Sequence, residues 1–316
     1  MKKRVLITGA GGDIGGRLVK ILLQNEDVEL YTTELRDLPE NASRHGIFDV
    51  RDDGFFTWLE SVKPQVIIHL ASIVKLPASM SREEAHDIDV KATEKLARTS
   101  VELGVEKLVV TSSGAAYGYW VDNPEWISET TPVRGNEDYF YSSHKRQVEE
   151  LLESYRTDFP QLKQVVLRPG TVLGPNFENP ITNMFEKNII SGIAGTQSPF
   201  VMIWVDDLVQ YIVEAALTDV EGVFNVAGDG TLGLKQIASR LNKPFLPIPS
   251  WLIKAVLAVL KPLGLSQYGP EQVKFIQYRP VLSNSKIKNT FKHQPKYNTE
   301  QTFEAFLASS DKEYVK

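Results

Sequence analysis

Cysteine is missing from all 316 residues. Its absence excludes disulfides, thiolate catalysis and cysteine-based metal sites, and no other residues suggest a metal. It also fits a cytoplasmic location. An excess of positive charge is missing too. The formal net charge is -5, which gives no general attraction to nucleic acid. No segment is long and apolar enough to be an integral membrane span. Lys2, Lys3 and Arg4 imitate the start of a signal peptide, but the apolar run behind them stops at Thr8 and Gly9, so no hydrophobic leader is expected. Internal repeats and low-complexity tracts are absent. From Asn188 to Leu234 there is neither Lys nor Arg, a poor supply of donors for a diphosphate.

What is present is ordinary in bulk and informative in detail. The chain is 42% hydrophobic and 24% charged, as expected of a globular protein. Its length suits one large α/β domain with an appended lobe, or two domains. The opening is an apolar run, Val5-Leu6-Ile7, followed by Thr8-Gly9-x-x-Gly12-x-x-Gly15 and then Leu18, Ile21 and Leu22 at helical spacing. Strand, glycine turn and helix form a phosphate-binding arrangement: glycine lets the backbone approach a ligand, and the helix N-terminus offers free N–H groups. A tight strand–helix turn also needs glycine without any ligand. Gly11 occupies the second glycine position of the dinucleotide pattern Gly-x-Gly-x-x-Gly, but Ile14 stands where its last glycine belongs.

The next strand, Val28 to Glu34, ends in an acid about 20 residues beyond the glycines, where a carboxylate binds adenosine ribose hydroxyls. Glu34 also suits an exposed loop. Arg36 follows closely and would suit a 2′-phosphate, which Glu34 would repel, so NAD is favoured over NADP. Asp49, after a short third strand, is placed either at the adenine or as a cap on the next helix. Gln65 to Ala71 reads as a buried strand and His69 as its packed end. Glu83 to Leu103 reads as one helix stopped by Gly104. Alternating strands and helices imply parallel βαβ units.

Lys107 to Ser113 is a further strand, with hydroxyls at its carboxyl end, where ligands bind in parallel sheets. Serine is equally common in turns. Tyr141 and Lys145 lie four apart on one helix face. A phenol normally ionises near pH 10, and a neighbouring ammonium lowers that value. Tyr141 is thereby placed to exchange a proton with a substrate hydroxyl or carbonyl, and Ser113 to hold the same oxygen. Asp206 and Asp207 suit a helix N-terminal pair.

Thr8-Gly9-x-x-Gly12-x-x-Gly15, Ser113-x-x-x-Tyr117-Gly118, Tyr141-x-x-x-Lys145 and Leu167-Arg168-Pro169-Gly170-Thr171-Val172-Leu173-Gly174-Pro175 occur in order. Together they resemble the extended short-chain dehydrogenase/reductases, the NAD-dependent epimerase/dehydratase family. The resemblance implies an α/β fold, a Rossmann-type doubly wound parallel sheet with a small C-terminal α/β substrate lobe. Residues 1–174 and 200–228 would bind NAD; 175–199 and 229–316 would form the lobe. It implies catalysis by Ser113, Tyr141 and Lys145, with the lysine also on the nicotinamide ribose. The cofactor would be lined by Gly9, Gly12, Asp13, Ile14, Gly15, Glu34, Asp49, Val50, Leu70, Ala71, Tyr141, Lys145 and Pro169. Ser72, Ser113, Thr171 and Arg279 would meet substrate.

Departures from the family pattern bear on substrate. Gly114 and Ala115 stand where dehydratases carry Asp-Glu, so dehydration is disfavoured. Thr171 replaces the Asn usual in nucleotide-sugar epimerases, and a phosphate-binding Arg near Phe200 is missing, leaving Arg279 to match a second one. Asp89 stands where the family has Asn. The expected activity is reversible hydride transfer at a secondary alcohol or ketone of a sugar or nucleotide-sugar, as an epimerase or a dehydrogenase. Residues 247–262 are unusually apolar. They read as a lobe helix packed on the core, or as an apolar wall for a steroid-like substrate or a membrane-surface contact. Together with Ser283-Asn284-Ser285-Lys286 they resemble the 3β-hydroxysteroid-dehydrogenase branch. A non-catalytic NAD(P)-sensing protein is a further alternative, although such proteins usually lose the tyrosine or lysine. In relatives a pair of helices from each subunit forms a homodimer contact. Leu96, Leu103, Val148 and Leu152 are available for that contact or for the core.

Overall fold

In a computed structural model that describes residues 2–38, 44–265, 269–312 and 314–315, the βα alternation read from the sequence becomes a seven-stranded parallel sheet. In chain order the strands are β1 Lys3–Thr8, β2 Val28–Glu34, β3 His45–Ile47, β4 Val66–His69, β5 Lys107–Thr111, β6 Lys163–Pro169, β7 Thr171–Leu173, β8 Ile190–Ile193, β9 Met202–Trp204, β10 Gly222–Val226 and β11 Phe245–Ile248. The α-helices are α1 Asp13–Leu23, α2 Asp53–Val62, α3 Arg82–His86, α4 Ala92–Glu102, α5 Phe140–Asp158, α6 Thr182–Phe185, α7 Val205–Leu217, α8 Leu234–Arg240, α9 Ser250–Leu260, α10 Lys274–Gln277, α11 Ser285–Thr290 and α12 Thr299–Ser309. The main sheet runs β10-β6-β5-β4-β1-β2-β3. Strand order reverses between β1 and β4, and a ligand crevice opens at such a switch point beyond the carboxyl ends of the strands.

Two-residue periodicity sends alternate side chains to opposite faces. Val5, Ile7, Val66, Ile68 and Val109 pack beneath α1 and α7. Leu6, Ile67, Leu108 and Val110 pack against α2, α4 and α5. Both faces are therefore covered, which is why the strands read as continuous apolar runs. Leu96, Val148 and Leu152 are buried in this second core and Leu103 packs against it, so they serve the fold rather than a subunit contact. The long helix expected from Glu83 is present as α3 and α4, joined by a π-helical turn at Asp87–Lys91.

Small parallel pairs, β7 with β9 and β8 with β11, carry the remainder. The tail returns to the main sheet. Phe303 and Phe306 of α12, with Ile287 and Phe291, belong to the same core as β1. Asp207 accepts from Lys296 N at 3.0 Å and lies 3.0 Å from His293 Nε2, while Asp206 pairs with Arg17 at 2.8 Å. These two acids thus open α7 and tie down other segments. The expectation that 247–262 packs into the core is not met. None of the residues of α9 is buried. Ile253, Leu257 and Leu260 are only half covered, and the helix leans on the turn Pro270–Val273, too small an element to cover its outer side.

Candidate active site

The glycine turn is dictated by close approach. Gly9 ends β1 at φ +70°, and a Cβ there would lie 2.8 Å from Ala71 N. A Cβ on Gly15 would lie 2.2 Å from the Gly9 carbonyl oxygen, so glycine alone lets α1 start this close to β1. Gly12 caps α1 in extended conformation without a side-chain cap. Among the described residues, the N–H groups of Asp13, Ile14 and Gly15 find no backbone acceptor, which leaves donors and a helix dipole for an anion. Glu34 closes the other side: its carboxylate accepts from Gly11 N at 3.1 Å and Leu35 N at 2.9 Å. A carboxylate accepts about four hydrogen bonds, so capacity remains for a ribose diol. Leu70 and Ala71 follow β4 against Gly9, Val50 is buried, and Pro169 ends β6. Asp49 does not cap α2, whose N-cap is Asp52. Both its oxygens are taken by Arg51, at 2.9 Å and 2.7 Å. The hydrogen bond from Arg51 holds its carboxyl below the usual range against burial. The residues present fit a dinucleotide.

Ser113, Tyr141 and Lys145 come together at the carboxyl end of β5. Ser113 caps a one-turn 3₁₀ helix, its hydroxyl accepting from Ala115 N at 3.1 Å, and stands close enough to the Tyr141 phenol to favour its ionisation. Lys145 donates to Thr111 O at 3.1 Å, and its Nζ sits 5.6 Å from the Tyr141 ring centroid. Burial pushes the Tyr141 phenol up to about 12, opposed by Ser113. Burial also lowers Lys145, opposed by Asp89 and Glu149. The sequence leads one to expect a phenol acidified by Lys145; in this structure burial raises the phenol instead, and Ser113, not Lys145, is the group that opposes it. His69 is a packed strand end, with Nδ1 2.7 Å from Thr8 Oγ1 and Nε2 3.0 Å from Thr93 Oγ1. Burial, then the Lys145 charge, pushes it down to about 4.

A buried network fixes this geometry. Arg168 of β6 donates through Nε to both oxygens of Glu149 on α5, at 2.9 Å and 2.8 Å, and through Nη1 to Tyr117 Oη at 2.6 Å. Ser112 donates to Glu149, and Tyr117 donates to Asn225 Oδ1 at 2.8 Å. The Ser-Ser strand end, the Tyr141 helix, β6 and β10 are thus held by one set of bonds.

Of the residues expected to meet substrate, Arg279 lies 4.0 Å from the centroid of the Phe200 ring. Its Nε is buried without an acceptor, and burial pulls the guanidinium down, opposed by Tyr119 and Tyr139. Thr171 donates its N–H to Val201 O at 2.9 Å, beside Phe200. Ser72 donates to Asp89 Oδ1 at 2.9 Å. Sequence reasoning missed the aromatic wall of Tyr119, Tyr139 and Phe275, with centroids 5.1 Å apart for Tyr119 and Phe275 and 4.7 Å for Tyr139 and Phe275. Tyr139 also sits 6.1 Å from Tyr141. Only the closeness of Tyr117, Tyr119, Tyr139 and Tyr141 to the two motifs signalled it.

A profile of the NAD dependent epimerase/dehydratase family matches residues 5–227. The chain is 30% identical over 233 residues to a UDP-glucose 4-epimerase of Mycolicibacterium smegmatis, covering 67% of this chain and 72% of that one. The solved UDP-Glc/GlcNAc 4-epimerase of Campylobacter jejuni superposes with a TM-score of 0.74 at 20% identity, over 97% of this chain and 98% of the other. The Bordetella bronchiseptica enzyme WbmG, solved with NAD, also gives 0.74 at 20% identity, over 98% and 94%.

Proposed function

The chain belongs to the NAD dependent epimerase/dehydratase family and is an NAD-dependent enzyme of the extended short-chain type, and on that premise we propose that it transfers hydride reversibly at a secondary alcohol or ketone of a phosphate-bearing sugar, a nucleotide-sugar above all. The meeting of Ser113, Tyr141 and Lys145 carries this reading. In it, Gly9, Gly12, Gly15 and the first N–H groups of α1 hold the pyrophosphate of NAD, and Glu34 holds the adenosine ribose. NAD, when bound, supplies a cationic ring that accepts hydride from the carbinol carbon. Ser113 holds the substrate oxygen. Tyr141, whose phenol is raised by burial and lowered by Ser113, takes its proton, and the ammonium of Lys145 on the same helix face stabilises the phenolate that must form.

Arg279 supports the substrate class. A guanidinium with a buried, unanswered Nε matches a phosphate oxygen. It supplies from outside the stretch 188–234 the charge which that stretch lacks. Gly114 and Ala115, buried in a 3₁₀ turn, bring no acid to eliminate water. Residues 1–174 and 200–228 are read as the cofactor part, and 175–199 with 229–316 as the substrate part. No helix of the described residues is long and apolar enough to cross a membrane; a cytoplasmic homodimer, pairing through the outer sides of α4 and α5, completes the proposal. The test is a screen of sugar nucleotides, sugar phosphates, free sugars and hydroxysteroids, reading NAD reduction at 340 nm and product stereochemistry. Turnover of a sugar nucleotide supports it. Turnover of a hydroxysteroid alone overturns the substrate class.

A further inference from the structure

Burial normally claims the most apolar helix of a chain, yet α9 is left outside. Among the described residues, seven of the fifteen large hydrophobic side chains that are exposed fall between Leu246 and Leu265. Trp251 is 69% exposed, Val259 60%, Leu263 64% and Leu265 71%, with Leu252 and Val256 beside them. Scattered apolar residues on a surface need no partner, but a contiguous patch does.

Charge chooses the partner. From Gly230 to Pro270 the sequence holds Lys235, Arg240, Lys243, Lys254 and Lys261 and not one Asp or Glu, in a chain whose formal net charge is -5. Arg240 and Lys261 are answered by Glu300 and Glu271 from outside the segment, and Lys243 donates to Phe185 O at 2.6 Å. Lys254, in the middle of the exposed helix, has no acidic partner among the described residues. We propose that this face docks the protein onto an anionic lipid surface, with α9 lying in the plane of the headgroups and Leu263 and Leu265 dipping beside it.

Length agrees. An 11-residue helix is about 16 Å long at 1.5 Å per residue, half of a hydrocarbon core about 30 Å thick, so it lies on the membrane and does not cross it. Trp251 at the N-terminal end and Lys254 in the middle of the helix are the residue types that sit at the interface and reach for lipid phosphates. A second copy is the weaker occupant. A two-fold contact sets the same patch against itself, bringing Lys254 toward its counterpart with no acid on the segment to separate them.

The test is flotation of the full-length protein with vesicles of equal parts phosphatidylcholine and phosphatidylglycerol, against phosphatidylcholine alone. The wild type floats with the mixed vesicles, less well with neutral ones, and less well as salt rises. The double variant Val256→Glu, Val259→Glu changes two exposed positions. It loses binding at least about tenfold while keeping its circular dichroism and its affinity for NAD. Lys254→Gln weakens binding to the mixed vesicles and flattens the salt dependence. A wild type that stays at the bottom of the gradient overturns the proposal. So does flotation undiminished in the double variant, or a dimer by sedimentation that the double variant splits with no vesicle binding; that last result assigns the face to a second copy.

Discussion

Oδ2 of Asp89 lies 2.8 Å from Nδ1 of His144, both side chains being buried. His144 is three residues past Tyr141 on α5. The same carboxylate accepts from Ser72 Oγ at 2.9 Å and Ile73 N at 2.8 Å through Oδ1, and it sits in the π-helical turn Asp87–Lys91. Such bulges gather at functional sites. Asp89 therefore locks the loop after β4 to the helix that carries Tyr141 and Lys145. Asp89→Ala, which strips every one of these bonds, is expected to cost about 3–5 kcal/mol. Asp89→Asn, the residue usual in the family, keeps an acceptor and should cost about 1–3 kcal/mol. Urea midpoints of the two variants check the order; equal losses would count against the clamp.

Tyr141→Phe removes the phenol and leaves the ring packed against Tyr139. Turnover should fall by about 10²–10⁴ with NAD affinity preserved. In the proposed mechanism, with the phenol held up near 12 by burial, oxidation of an alcohol by the wild type should rise with pH, because Tyr141 can act as a base only after losing its proton. Lys145→Met removes the ammonium and should move that rise to higher pH. The readout is the pH profile of kcat in both proteins, with NAD titrated separately to exclude lost binding.

Much of this site was legible in the sequence because its parts are local. The turn from Thr8 to Gly15, the acid at the end of β2, and Tyr141 four residues before Lys145 each state their geometry within a few positions. The Asp89 clamp was illegible for the opposite reason: Ser72 and His144 lie 17 and 55 residues away, and no period links them. The aromatic wall was hidden likewise, since Phe275 arrives from beyond α9. Composition misled at 247–262, where apolarity predicts burial but no element large enough exists to cover the helix. Leu96, Val148 and Leu152 could not be assigned between core and interface until α4 and α5 were placed on the sheet.

Stability should depend on pH through His69. Its folded value, about 4, lies below the ordinary value near 6.5. Below 6.5 the unfolded chain binds a proton that the folded protein refuses, so stability falls as pH drops from about 6.5 to 4. At pH 5 the loss relative to pH 7.5 should be about 2 kcal/mol. His69→Gln keeps a polar group between Thr8 and Thr93 and removes the titration. It is expected to be less stable at pH 7.5 but to lose about 2 kcal/mol less on acidification. Urea unfolding of both proteins at the two pH values checks the sign and the size.

Glu149 is the hub of the buried network. It accepts from Arg168 and Ser112, and Arg168 is itself 6% exposed. Glu149→Gln leaves the guanidinium in the interior without its counter-charge, which costs about 3–5 kcal/mol. The damage should reach the chemistry as well, because Ser112 adjoins Ser113 and Glu149 lies one turn from Lys145 on α5. A lower urea midpoint with a lower kcat is the expected pattern. A variant that matches the wild type in both stability and kcat would show that this network does not hold the site.

Gly15→Ala tests the cofactor cradle by its backbone alone. The added methyl would meet the Gly9 carbonyl oxygen at 2.2 Å and the Ala10 backbone at 2.8 Å, so α1 must withdraw from β1. The N–H groups of Asp13 and Ile14 then leave the position proposed for a phosphate, and the close packing of helix on strand is lost. NAD affinity should fall at least about tenfold, the equivalent of about 1.4 kcal/mol, with a lower melting temperature. Gly16→Ala is the control. Its Cβ would meet only the Ala10 carbonyl oxygen, at 3.9 Å, and alanine is the better helix former by about 1 kcal/mol. That variant should melt at or above the wild-type temperature and bind NAD unchanged. Calorimetric titration of both with NAD separates a collision at position 15 from a general intolerance of substitution in α1.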